Sequence, residues 1–459
     1  MGEVGERAVV CGAGMAGLLA ARVLSEYYAR VTLVERDKLQ AGPVQRDGVP
    51  QGRHFHTLLS AGSQALGALL PGLLDELVAA GATVCDEGDF SRVSIRIGGH
   101  ELNRSGKFAD PASVVIYLAS RPFLESHLRR RIRAISNIEV VDGHDAVQPI
   151  VGQTNRIIGT RIANRDTGVQ RVLSADLVVD AMGRGARTPA FLDGLGCQRP
   201  PEQRSIMQGS SSSQFLCIPP DLVGEKMTMV FPRPEQPTGG GLLAYENGTW
   251  ILTIGRLAGR EPPTNLAGLI ECAEQFAPRP LVEALKAAEP LSEVSVYRYR
   301  GSVWRRYDKM RRLPNGLLVT GDALCSFNPI YGQGMTMAAL EAVTLRDCLS
   351  HPNGDLGRQF FRAMAQQIRP IWATNQINDL YMSEPGGGRS TLMRVWNWSN
   401  DKVLTAAERD PILTERLFRA TNLIDPPTRL LDPFLMSRVC LNLWRQRQSQ
   451  RATYAINHR

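Results

Sequence analysis

Apolar residues recur with two different periods along the chain, and the switches between them mark its organisation. Ala8-Val9-Val10-Cys11 is a short apolar run, followed by a glycine-rich turn and the apolar stretch 18–24. That order predicts strand, turn and helix. Residues 30–35 predict a second strand, so 7–35 reads as one βαβ unit. Residues 52–77 carry apolar positions at helical spacing (Leu58, Leu59, Ala65, Leu66, Leu69, Leu70), interrupted at Pro71. Residues 90–102 alternate in part, through Val93, Ile95 and Ile97. Ser120-Arg121-Pro122 opens a helix whose Leu124, Leu128, Ile132 and Ile135 share one face. Strands are predicted over 138–141, 156–163, 171–173 and 175–181.

The texture then changes. Short β segments at 208–218, 226–231, 241–245 and 249–256 are separated by Gly and Pro, with a helix over 266–286 and a strand-like stretch over 293–303. Residues 316–320 restore a buried strand and 334–349 a helix. From Gln359 onward the pattern is helical, with breaks expected at Pro370, at the glycines 386–388 and at Pro426-Pro427. The fold class is therefore α/β, with an antiparallel sheet inserted into a Rossmann-like domain and a helical C-terminal region.

Composition narrows the picture only a little. A chain of 459 residues accommodates two or three domains. No stretch approaches the roughly 20 apolar residues of a membrane span, and no secretory signal pattern is present. The formal net charge is +8, yet the basic residues are scattered and no nucleic-acid-binding motif is found. Arg129-Arg130-Arg131, the densest basic run, reads as a solvated helix face. The eight cysteines show no CxxC and the seven histidines no HExxH, so no metal site is expected and a reducing cytoplasm fits best.

Candidate chemistry starts at Gly12-Ala13-Gly14-Met15-Ala16-Gly17. Gly12 permits the tight turn, Gly14 lets phosphates approach the backbone, and Gly17 lets helix pack on strand. Glu35, at the end of the second strand, falls where an acid hydrogen-bonds a ribose. Two more segments end predicted strands in Gly/Asp turns. One is Asp180-Ala181-Met182-Gly183-Arg184. The other is Gly321-Asp322-Ala323, which continues through Asn328-Pro329-Ile330-Tyr331-Gly332-Gln333-Gly334-Met335-Thr336. Strand C-termini line the ligand crevice of such sheets, and a helix start at Gly334 leaves the Met335 and Thr336 N–H groups free to donate.

These three segments, in this order, resemble the FAD-dependent monooxygenases of the aromatic-hydroxylase and squalene-epoxidase superfamily. The resemblance spans about residues 7–350. It implies FAD contacts at Gly12, Gly14, Met15, Ala16, Gly17, Glu35, Arg36, Arg46, Arg121, Val147, Asp180, Gly183, Gly321, Asp322, Pro329, Gly332, Gly334, Met335 and Thr336. It also implies an FAD-binding domain at 1–89, 110–190 and 310–350, a substrate domain at 90–109 and 191–309, and a C-terminal helical region at 351–459. Residues 48–59 and 327–336 are similar to bacterial polyene epoxidases of polyether antibiotic pathways, of the lasalocid and monensin type. That similarity implies epoxidation of a lipophilic polyene or polyketide in secondary metabolism, through a flavin C4a-hydroperoxide formed with O2.

This chemistry needs no protein nucleophile, only positioning and exclusion of water. Phe327, Pro329 and Ile330 are the flavin-face candidates; Phe215, Met227, Met229, Phe231 and Trp250 are the substrate-wall candidates. Many such hydroxylases carry Asp-Gly where this chain has Asp180-Ala181. Reducing electrons are therefore expected from NADPH directly or through a separate flavin reductase. Phenol hydroxylation is the nearest alternative and gains from a base, for which His54, His56, Tyr245 and Tyr331 are candidates. A prenyl reductase, a halogenase and a flavin-binding scaffold complete the alternatives. Residues 429–447 pair apolar Leu430, Leu431, Phe434, Leu435, Val439, Leu441, Leu443 and Trp444 with Arg438, Arg445 and Arg447, a pattern that suits internal packing or peripheral membrane contact.

Overall fold

The computed structural model describes residues 4–257, 259–383 and 391–457. By internal contacts the chain divides into two compact units: 1–81, 119–206 and 300–369 in the first, 82–118, 207–299 and 370–459 in the second.

The first unit is built on a five-stranded parallel sheet. Its strand order is Leu317–Val319, Leu177–Asp180, Gly5–Cys11 (β1), Tyr28–Val34 (β2), Ile138–Val141. The helix Met15–Leu24 (α1) crosses from β1 to β2, and all but two of its ten residues are buried. Runs such as Ala8-Val9-Val10-Cys11 carry no alternation because both faces of a parallel sheet are covered. The helix Ser60–Leu69 (α2) and the helix Gly334–Ser350 pack together. Gly62 permits their close approach, since a Cβ there would lie 2.6 Å from Thr336 Oγ1.

The helix Arg121–Arg133 starts at Ser120, whose hydroxyl accepts the Phe123 N–H as an N-cap. Arg129 departs from the expected solvated face. It is 4% exposed, donates to the Gly42 carbonyl at 3.1 Å and lies 4.0 Å from the Glu125 carboxylate. A lone charge is costly to bury, and partners of this kind are what make its burial tolerable.

The second unit holds an eight-stranded sheet, antiparallel except where Met227–Val230 runs parallel to Val93–Ile97. Its even-numbered residues Leu216, Leu242, Leu252 and Ile254 form one apolar cluster with the helices Leu266–Glu274 and Arg279–Lys286. The single helix expected over 266–286 is thus two, with Pro278 capping the second. Pro370 does not end its helix either: Leu356–Ser383 runs through it. Pro370 is exposed, so the carbonyl it leaves unpaired reaches water. The glycines 386–388 lie outside the described residues. Among the described residues, no helix is long and apolar enough to cross a membrane.

Candidate functional site

Three sequence segments meet at the C-terminal ends of the parallel strands, and glycines make the meeting possible. Gly12, at φ +105°, bends the chain out of β1; a Cβ there would lie 2.6 Å from the Ala181 carbonyl oxygen. Gly17 seats the Gly12 carbonyl oxygen 1.7 Å from where its own Cβ would be. Gly321, at φ +65°, would drive a Cβ to 2.7 Å from the Ala16 methyl. Gly334 lies against Asp322, whose Oδ1 is 3.9 Å from the corresponding point. Gly14 is different. A Cβ added there meets only Arg121 Nη2, at 3.9 Å. Among the described residues nothing crowds this glycine, so space is left open over the start of α1.

Two helix N-termini open onto this region without a side-chain cap, those of α1 and of the helix Gly334–Ser350. The first intrahelical bonds recorded at their starts are Leu18 N–H to Gly14 O and Met337 N–H to Gln333 O. The preceding N–H groups, those of Met15, Ala16 and Gly17 and of Gly334, Met335 and Thr336, have no backbone acceptor among the described residues. Thr336 is fully buried and its hydroxyl accepts the Leu59 N–H at 3.1 Å. Gly332, at φ +63°, closes the Pro329–Tyr331 turn, which Asn328 caps by accepting the Ile330 N–H. Phe327 is buried, Ile330 half-buried and Pro329 exposed.

The two acidic turns behave differently. Asp180 gives its oxygens to its own loop: Oδ1 accepts the Met182 N–H at 2.9 Å and Oδ2 the Thr188 hydroxyl. The Asp180 carboxylate thus fixes the turn that Gly183 completes at φ +75°. Asp322 accepts no side-chain hydrogen bond among the described residues. Burial raises its carboxyl above the ordinary value, while Arg121, Arg184 and Arg305 pull it down.

Glu35 is buried, with Oε2 accepting the Ala13 N–H at 2.7 Å and Oε1 the Asp37 N–H at 3.0 Å. Arg46 reaches Glu35 at 2.6 Å, Asp37 at 3.2 Å and Glu125 at 3.3 Å. Arg121 reaches Glu125 at 2.8 Å. Burial opposes the Arg46 charge, but Glu35 and Glu125 together raise its pKa above the ordinary value. Arg36 is exposed and, among the described residues, its one ion pair, to Asp145, spans 4.0 Å. Val147 is the extra residue of a β-bulge between Ala146 and Gln148, so its backbone falls out of the ladder.

Two residues that the sequence reading missed hold the Asp322 turn. Glu341 is buried, and its Oε2 accepts from the Thr320 hydroxyl and from the Gly321 N–H, at 2.5 Å for the latter. Burial pushes its carboxyl up to about 7. Arg305 donates to the carbonyls of Ala323 at 2.9 Å and Arg184 at 3.0 Å, tying the two turns together. A single acid in the apolar run 334–345 was the available signal for Glu341; nothing in the sequence singles out Arg305.

His54 and His56 lie in the segment whose Leu59 bonds Thr336. Burial lowers their pKa values to about 4 and about 3. In the second unit, cross-strand register puts Phe215, Met227 and Met229 on one face with Leu243 and Ile251. Trp250 lies on the opposite face from Phe215, packed on the helix-covered cluster.

Two uncapped helix starts, an open glycine and an unpaired carboxylate are what an elongated ligand with a pyrophosphate and a polyol requires. Residues 6–357 match the FAD binding domain family. The chain belongs to this family of FAD-dependent monooxygenases. It is similar to Protein Rv3254 of Mycobacterium tuberculosis, at 36% identity over 98% of this chain and 97% of that one. A kynurenine 3-monooxygenase of Salinispora tropica is 27% identical over 76% of this chain and 74% of its own. In fold, the chain is similar to pqsL, a probable FAD-dependent monooxygenase from Pseudomonas aeruginosa. That match has a TM-score of 0.64 and 17% identity, covering 86% of this chain and all of that one.

Gly14→Ala should leave the melting temperature of the FAD-free protein within about 2 °C and weaken FAD about tenfold or more, whereas Gly17→Ala should destabilise the fold itself. Thermal melts and flavin-fluorescence titrations read the two effects separately. Glu341 supplies a second expectation. Its folded pKa of about 7 lies above the 4.5 of a free glutamate, so the associated stability is present below pH 4.5 and is lost as pH rises through 7. Glu341→Gln should flatten the pH dependence of the melting temperature between pH 5 and 8; an unchanged profile contradicts this assignment.

Proposed function

We propose that the protein inserts one oxygen atom of O2 into alkenes of a lipophilic polyene or polyketide. The observation that carries this reading is the character of the Gly332–Thr336 environment. It offers apolar Phe327, Pro329 and Ile330 and uncapped N–H groups, but its two nearby histidines resist protonation near neutral pH. A base whose conjugate acid sits near pH 3 or 4 is poorly matched to taking a phenolic proton. Epoxidation makes no such demand.

Bound FAD, once reduced, supplies the activation of O2. The residues of this chain do the rest. The N–H groups of Met15, Ala16 and Gly17 receive the pyrophosphate over Gly14, with Arg121 alongside. Glu35, whose oxygens also hold the Ala13 and Asp37 N–H groups, would face the adenosine ribose, and the freed Val147 backbone the adenine. Asp322 receives the ribityl hydroxyls, for which it has unused acceptors. Met335 and Thr336 would donate their N–H groups to a flavin oxygen, and Phe327 and Ile330, with Pro329 at the rim, would limit water at the reacting atoms. Within the second unit, the substrate-wall residues Phe215, Met227 and Met229 share one apolar face of the sheet. In the net reaction one oxygen atom adds across a carbon–carbon double bond, and the other leaves as water with two electrons and two protons.

The electrons come, in this reading, from a separate flavin reductase. Ala181 fills space against α1, where a Cβ on Gly17 would lie 3.3 Å from its methyl, and Asp180 is committed to its own turn. Aromatic hydroxylation is the second reading, favoured by the kynurenine 3-monooxygenase similarity.

Incubation with FAD, a flavin reductase, NADPH and a polyene should give a product heavier by one oxygen per alkene oxidised, identified by mass and NMR. Hydroxylated arenes with untouched alkenes would favour the second reading, and full turnover without the reductase would remove the reductase requirement. Asp322→Ala should lower FAD affinity about tenfold or more; undiminished retention on a desalting column would sink its assigned role.

A further inference from the structure

The C-terminal helix Pro433–Asn457 is apolar on two faces, and only one is used. Leu435 and Val439 are 5% and 3% exposed and pack inward. Phe434, Leu441 and Trp444 are 63%, 44% and 58% exposed. At 100° per residue these three fall within one side of the helix, along about 15 Å of its length. A helix that only packs on its own protein needs one apolar stripe and gains nothing from a second.

Charge says what the second face meets. From Pro433 to Arg459 the sequence contains five arginines and no aspartate or glutamate. Arg438 and Asn442 turn toward Asp410, at 2.7 Å each, on the packed side. Arg445 falls beside Phe434 and Leu441 on the exposed side, with no ion pair among the described residues. A second copy of the chain docking here about a two-fold axis would bring Arg445 toward its own counterpart. A bilayer carrying anionic headgroups has no such conflict. Apolar side chains enter the acyl boundary, tryptophan sits at the headgroup level and arginine meets phosphate.

We propose that this face rests on an anionic phospholipid bilayer, with the helix lying in the plane of the interface. No described helix is long and apolar enough to cross, so the contact is peripheral. The proposal stands whichever reaction the flavin site performs.

The test is co-sedimentation of the full-length protein with vesicles of phosphatidylcholine containing phosphatidylglycerol, against vesicles of phosphatidylcholine alone. The protein should partition onto the anionic vesicles, and Trp444 emission should shift to the blue, a shift that Trp444→Phe abolishes. The triple variant Phe434→Ser, Leu441→Ser, Trp444→Ser should lose at least tenfold in partitioning. Arg445→Glu should lose less, by an amount that shrinks at high salt. FAD content and melting temperature report whether each variant remains folded; should the triple variant fail, Arg445→Glu and Trp444→Ser decide alone. Wild-type protein that stays in the supernatant with anionic vesicles overturns the proposal. So does a folded triple variant that sediments as well as wild type. A concentration-dependent dimer dissolved by the same substitutions, without vesicle binding, overturns it in favour of self-association.

Discussion

The contact between Gly17 and the Gly12 carbonyl is the constraint on which the site hangs. It presses α1 onto the end of β1 with no space for a single carbon atom. The rest follows outward from that seat. Ala16, held in place by it, becomes the surface on which Gly321 lands, and Gly321 carries Asp322 to the start of the helix Gly334–Ser350. Segments more than 300 residues apart in sequence are thus locked together by backbone contacts, which lack the rotamer freedom of side chains.

Charge is managed inside this frame by pairing. Glu35, Asp37 and Glu125 face Arg46, Arg121 and Arg129, so the region beside the open glycine is close to neutral despite six ionised groups. Buried pairs of this sort add little net stability, but removing one partner strands the other at a cost of several kcal/mol. Their value is positional: Arg121 is held over Gly14 by Glu125. Arg305 and Glu341 do similar work on the Asp322 turn, one through carbonyls and the other through an N–H and a hydroxyl. Asp322 is left as the acid in this region without a committed hydrogen bond, and Asp180, so similar in sequence context, is not.

The parallel sheet, the glycine turn and the two Gly/Asp turns were legible because each rests on local rules: apolar runs, strand ends and φ values reserved for glycine. What was not legible depended on register or on long-range pairing. Trp250 differs from Phe215 by the parity of its position, and parity assigns a face only once Phe215 is known to sit opposite Ile251. Arg129 looked solvated because its partners, the Gly42 carbonyl and the Glu125 carboxylate, come from a distant loop and from one turn up its own helix. The commitment of the Asp180 carboxylate was not legible because nothing local predicts that Thr188 folds back to it. Pro370 looked like a helix end because its exposure, which makes it tolerable, is a tertiary fact.

The landing of Gly321 on Ala16 also has a consequence in time. A ribosome delivers the glycine turn early and the Asp322 turn some 300 residues later, roughly 15–60 s at typical elongation rates. During that interval the nascent chain has the Gly12–Gly17 turn without the Asp322 turn that comes to rest on it. The docking of Gly321 on Ala16 is therefore a late event in the birth of this protein. The intervening sheet is synthesised before the first unit can close, and that closure waits for the segment from residue 300 onward.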